Sequence, residues 1–261
     1  MGGITLPSKY GTKWSEEETI LAFYYYCQIP FGKIDKRNPE IIRIAKLIGR
    51  TPDSVTLKMC NLAHFDPAQQ QRNVSGMSNA SKLDEATVAK FLSDWEEMTY
   101  QAKMIEHKLV IEPFAQNYAS KEHDLPPGDE RTQEVRQRIN QDFFRDAVLA
   151  SYHQQCCITG LNVPSLLIAS HIKPWKDSNP LTERTNPSNG LCLNALHDKA
   201  FDKGLITVLP DFSIRVSSKV LPGNEGAEWL RQCDHQKIIL PQRFVPKKEY
   251  LEYHNDVVFV A

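Results

Sequence analysis

Between residues 157 and 206 two short β-forming runs are followed directly by a short helix, and this arrangement constrains the fold more than any other part of the chain. The first run, Leu166-Leu167-Ile168-Ala169-Ser170-His171, ends in a histidine and is stopped by Pro174 and Trp175. After a polar loop, Lys176 to Ser188, the second run is Asn189-Gly190-Leu191-Cys192-Leu193. Residues Asn194 to Lys203 then read as a helix ended by Gly204. A hairpin that feeds a helix in this way leaves His171 at a strand end, facing the helix, and sets Asp198 and Asp202 on one helix face, since residues four apart are neighbours there.

That placement carries chemistry. Two carboxylates converging from one helix face suit a hard divalent cation with oxygen ligands, Mg²⁺ before Mn²⁺ or another transition metal. An imidazole with an ordinary pKa of ~6.5 is largely neutral near pH 7, so His171 is able to take a proton from water while a metal polarises a phosphoryl oxygen. General base plus Lewis acid is sufficient for phosphodiester hydrolysis.

The ordered set Arg138, Gln141, Phe144-Arg145, Tyr152, Cys157, Thr159-Gly160, Ala169-Ser170-His171-Ile172, Pro174-Trp175, Asn189-Gly190-Leu191, His197-Asp198, Phe201-Asp202 and Gly204-Leu205-Ile206 resembles the HNH endonucleases, in particular a bacterial restriction-type branch. The resemblance extends to Leu251-Glu252-Tyr253-His254. It implies a ββα-metal fold acting on DNA, with His171 as general base and Asn189 holding the hairpin loop. Asp198 and Asp202 then match the metal ligands, with His197, one residue off that register, as the alternative. Two departures stand out. Ser170 occupies the position where many relatives carry an Asp or His ligand, and the paired C-x-x-C motifs that hold a zinc in others are absent. The implied role is restriction or defence against foreign DNA. Two alternatives are a modification-dependent enzyme that senses altered cytosines and a DNA-binding regulator whose nuclease domain is inactive.

Around this unit the chain divides at two polar, breaker-rich stretches, 67–81 and 113–131, the second containing Pro126-Pro127-Gly128. Three parts follow: a helical part over 1–66, a linking part over 67–130 and a nuclease part over 131–261, an α+β chain as a whole. In the first part, Ser15 with Glu18 is a capping box, Asn38-Pro39 and Thr51-Pro52 are cap-plus-proline starts, and Gly49 is a helix stop. Two helices joined by so short a turn fit helix-turn-helix architecture. The runs Trp14-Ser15-Glu16-Glu17-Glu18 and Ile44 to Thr51 resemble Myb/SANT-like DNA-binding domains, which makes the next helix the recognition helix, exposing Thr56, Lys58 and Asn61.

In the middle part Val88, Phe91, Trp95, Met98, Ala102, Ile105 and Leu109 fall at alternating spacings of three and four, a heptad seam over Lys82 to Val110. The expected partner is the same helix of a second chain. Such a homodimer would also bring two active sites to a duplex. In the nuclease part Thr132 is expected to cap a helix with Val135, Ile139, Phe143, Val148 and Tyr152 inward and Arg131, Arg138 and Arg145 outward. Arg138 and Arg145, with Lys173, Lys176 and Arg184 from the hairpin loop, are candidate DNA contacts.

Composition sets limits. With 31 Lys and Arg against 32 Asp and Glu the net charge is −1, which argues against a footprint for nucleic acid spread along the whole chain. The middle part is acidic, 6 basic residues against 11 acidic, while both flanking parts are slightly basic, so DNA contact has to come from local patches. No apolar stretch approaches the ~18 residues of a membrane helix, no secretory signal opens the chain, and Leu6 breaks a myristoylation signal, so a cytoplasmic location is expected. Six cysteines without a C-x-x-C read as reduced, mostly buried thiols.

Overall fold

The structure is a computed structural model that describes residues 9, 11–71, 80–115, 129–223 and 225–261. The chain forms two compact units that meet between Phe143 and Phe144, so the helical and linking parts expected separately fold as one unit.

The first unit is helical: α1 (Glu16–Gln28), α2 (Pro39–Ile48), α3 (Pro52–Ala63), α4 (Pro67–Gln71), α5 (Lys82–Ser93) and α6 (Trp95–Ala115). Its helix starts are those that cap chemistry dictates. The Ser15 hydroxyl accepts from the Glu18 amide at 3.2 Å and the Glu18 carboxylate accepts from the Ser15 amide at 3.0 Å. Asn38 and Thr51 cap α2 and α3, and Gly49 ends α2 at φ 72°. Every residue of α1 from Glu18 to Cys27 is buried. A helix apolar on all sides has to be covered on all sides, and α3, α5 and α6 supply the cover.

That requirement overturns three expectations. The middle segment is two helices, broken at Asp94, whose carboxylate accepts from the Glu97 amide at the start of α6. Its seam residues Val88, Phe91, Trp95, Met98 and Ala102 are buried, with Phe91 edge-on to Phe23 of α1 at 4.8 Å. That stretch of the seam is thus covered by the chain's own α1, while its last two residues, Ile105 and Leu109, are half-buried. Lys58 does not project from a recognition helix: it is 6% exposed, its ammonium lies 2.6 Å from the Asp84 carboxylate of α5 and 4.8 Å from the Trp14 ring centroid. Thr56 and Asn61 are half-buried beside it, and α3 turns Leu57 to solvent instead. The 67–81 linker begins as α4, and Pro126-Pro127-Gly128 lies outside the described residues.

Helix α7 (Asp129–Ser151) crosses the unit boundary. It starts three residues before Thr132, which is therefore not its cap, and Val135 is 46% exposed. Phe143, Val148 and Tyr152 are buried as expected, while Arg138 and Arg145 are exposed. Beyond Phe144, the second unit contains β1 (Leu167–His171), β2 (Gly190–Asn194), α8 (Ala195–Asp202), β3 (Ile206–Val208), β4 (Ile214–Val216), α9 (Glu225–Arg231) and α10 (Lys248–Tyr253), with a π turn over His254–Val258. β1 and β2 are antiparallel, with Leu167 opposite Asn194 and His171 opposite Gly190. β3 and β4 form a second antiparallel pair. The core joins Val148, Leu167, Leu191, Leu193, Phe201 and Tyr250, and the chain is α+β. All six cysteines are free thiols and five are buried. No described helix is long and apolar enough to cross a membrane.

Candidate active site

The loop between β1 and β2 is held from within by one side chain. Asn189 is fully buried. Its Oδ1 accepts from the Lys173 amide at 2.8 Å. Its Nδ2 donates to the Lys173 carbonyl at 3.1 Å, the Ser178 hydroxyl at 3.2 Å and the Glu183 carbonyl at 3.3 Å. The first and last parts of a 16-residue excursion are thereby tied to the start of β2.

His171, at the end of β1, is fixed on three sides. Its ring stacks on Phe144 of α7 at 3.9 Å and 9°, Trp175 meets it edge-on at 5.6 Å, and its Nε2 lies 2.8 Å from the Arg184 carbonyl. A carbonyl only accepts, so Nε2 carries the proton and the neutral ring keeps its lone pair on Nδ1. Burial pushes the pKa of His171 below its ordinary value, against the opposing pull of the Arg184 carbonyl and the Asp202 charge. The imidazole is therefore neutral and able to accept a proton at physiological pH.

Glycine is required opposite it. A Cβ on Gly190 would run into Val148 Cγ2 and lie 3.0 Å from Phe144 Cζ. Gly190→Ala is expected to destabilise the second unit by about 1–3 kcal/mol through overpacking. Val148 takes the worst of the clash and Phe144 the next, and Phe144 is the ring stacked on His171, so the His171 ring is expected to shift as the pair gives way. Chemical denaturation and proton resonances of the His171 ring will report both changes, and an unshifted ring in a stably folded variant contradicts the linkage.

α8 begins directly after β2 because Asn194 caps it, its Oδ1 accepting from the amides of Leu196 at 3.1 Å and His197 at 2.9 Å. His171, Asp198 and Asp202 line one cavity of about 720 Å³. Burial raises the pKa of Asp198, the Ser170 hydroxyl beside it opposes the rise, and the Asp202 charge adds to it. Asp202, the last residue of α8, sits where the helix dipole is unfavourable to a carboxylate. A cation between the two would relieve both tensions. Among the described residues no three His, Cys, Asp or Glu side chains form a metal cage. Two carboxylates nevertheless fit a Mg²⁺-type ion, which keeps several waters and takes further oxygens from a phosphate.

The other expected residues divide. His197 is 1% exposed, its Nδ1 3.9 Å from Cys156 Sγ and its ring stacked on Trp229 at 4.5 Å. It does not line the cavity, because its helix position turns it into the core, and this removes it as the alternative ligand. Lys173 pairs with Glu183 at 2.7 Å, both largely covered, and Arg184 donates to the Trp175 and Ser178 carbonyls. Those two cations brace the loop. Of the three loop cations expected to meet phosphate, Lys176 alone lines the cavity, joined there by Lys199 and Lys203, which the sequence reading passed over.

A hairpin, an anchored histidine and a following helix with two carboxylates on the same cavity make up one ββα unit. Residues 156–209 match the HNH endonuclease family model. The match spans both strands, the loop between them, α8 and β3, all within the second unit, which is therefore similar there to HNH endonucleases. No curated protein matches the chain.

Proposed function

We propose that the chain is a divalent-metal-dependent DNA endonuclease in which His171 is the general base and Asp198 and Asp202 hold the cation. The observation that carries the reading is the placement of His171: its Nε2 lies 2.8 Å from the Arg184 carbonyl, a contact that requires Nε2–H and leaves Nδ1 as the acceptor, and the residue lines a cavity shared with the two carboxylates. Water hydrogen-bonded to Nδ1 gives up its proton to the imidazole as its oxygen attacks phosphorus, and the P–O bond to the leaving oxygen breaks with its electron pair going to that oxygen. The Arg184 carbonyl then stabilises the imidazolium through a hydrogen bond that strengthens with charge. Asn189 keeps this geometry by holding the loop that presents Arg184. A divalent cation bound by Asp198 and Asp202 supplies polarisation of the phosphoryl oxygen and charge stabilisation at the leaving oxygen.

Arg138 and Arg145, exposed on α7, are proposed as further backbone contacts to DNA. Restriction or defence as the role rests on the likeness of the Ala169 to Trp175 and His197 to Ile206 runs to restriction-type HNH enzymes. The test is incubation of the purified chain with supercoiled and linear DNA, plain and cytosine-modified, in Mg²⁺, Mn²⁺ or chelator, with sequencing of the ends. Cleavage in a divalent metal that stops with chelator is expected. Intact DNA in every metal would sink the nuclease reading and favour a DNA-binding regulator.

A further inference from the structure

The charges on α8 are arranged against the helix's own interest. Asp198 and Asp202 are four residues apart, and so are Lys199 and Lys203. Like charges at that spacing repel. Exchanging Asp202 and Lys203 in the sequence would turn both rows into attractive pairs, with the acid of one pair in the favoured N-terminal position. The helix dipole accounts for lysines near the C-terminal end of α8 but opposes Asp202 there. Nor do the rows close on each other as ion pairs: Lys199 and Lys203 are exposed, the Lys199 charge offsets only part of the burial penalty on Asp198, and neither lysine is in a salt bridge among the described residues. Both line the cavity that holds His171, Asp198 and Asp202, and Lys176 lines it from the β1–β2 loop. A local rule broken twice on one short helix marks a site whose ligand repays it. The ligand that satisfies an acidic and a basic row side by side is one that brings both a cation and phosphates.

We propose that Lys199 and Lys203, with Lys176 on the loop side, hold the phosphates that flank the scissile one on the cleaved strand. The inference rests on the nuclease reading above and adds the substrate's required form, a strand with phosphates on both sides of the cut. The acidic row of α8 takes the metal and the basic row takes the backbone. Because phosphates carry no sequence information, these contacts weaken binding uniformly when lost.

The test uses the full chain carrying His171→Ala, so that DNA stays intact, and measures affinity for two unrelated duplexes between low and moderate salt. Each phosphate contact contributes ~0.9 to the slope of log affinity against log salt. Lys199→Ala and Lys203→Ala are each expected to reduce the slope by ~0.9 and together by ~1.8, equally on both duplexes, with Lys→Arg restoring it. Lys237→Ala, whose partner is Asp211, serves as a surface control and leaves the slope unchanged. A double variant that keeps the parent's slope overturns the proposal alone. A parent that binds neither duplex overturns it together with the nuclease reading.

Discussion

His171→Ala is expected to lower the rate of DNA cleavage by about 10²–10⁴-fold, the range that a positioned general base contributes, while duplex affinity stays within a few-fold. The separation follows from what the ring touches. One face is covered by Phe144, an edge meets Trp175 and Nε2 is engaged by the Arg184 carbonyl. Only Nδ1 is left for chemistry, and no candidate phosphate contact passes through it. Removing the ring leaves a gap against Phe144 and frees the Arg184 carbonyl, so a stability loss of about 0.5–3 kcal/mol accompanies the change. Denaturant unfolding separates that loss from the kinetic one, because a variant still folded at assay temperature shows the full rate defect. Cleavage within threefold of the parent would remove His171 as the base, whatever the geometry around it.

The parts of this fold that could be read in the sequence are those fixed by chemistry within a few residues. Ser15 with Glu18, Asn38 with Pro39, Thr51 with Pro52 and Gly49 each satisfy backbone groups that any helix end leaves open, so they act wherever the helix later packs. The hairpin and α8 were legible for the same reason, since Asn194 and Gly204 bound the helix from its own ends. What was not legible depends on distant partners. An apolar stripe such as Val88 to Ala102 looks identical whether a second chain or the chain's own α1 covers it. Lys58 reads as a surface cation until Asp84, 26 residues away in the chain, is placed beside it. Lys173 was similarly claimed by Glu183, ten residues on. In the site, the two carboxylates and the histidine were visible as types at a spacing. The state of His171 was not, because it is set by the Arg184 carbonyl, a backbone group with no signature in sequence. Lys199 and Lys203 look like ordinary solvated helix residues until the cavity between α8 and the loop is seen.

Asn189→Asp is expected to be more damaging than its near-identical shape implies. The Oδ1 side of Asn189 accepts from the Lys173 amide, and an aspartate keeps that bond. The Nδ2 side donates to three oxygens, the Lys173 carbonyl, the Ser178 hydroxyl and the Glu183 carbonyl. An aspartate places a second acceptor against them, of which only the Ser178 hydroxyl is able to turn and donate. Instead of bridging the loop, the side chain repels it. Breaking a fully buried polar set so that a charge is left without compensation costs about 3–5 kcal/mol. The sign with pH follows from the neutral acid being the better-tolerated form. The folded-state pKa of the introduced carboxyl lies above its unfolded value of ~3.9, so the deficit against the parent is smallest below that pH and widens as pH rises through the folded value. Since the same loop presents Arg184 to His171, cleavage falls in step, and Asn189→Ala, which buries no charge, shows a deficit that does not grow with pH in this way. Urea unfolding of both variants at pH 4 and pH 7 reads the difference directly. An aspartate variant as stable as the parent at pH 7 would mean that the loop is not held by Asn189.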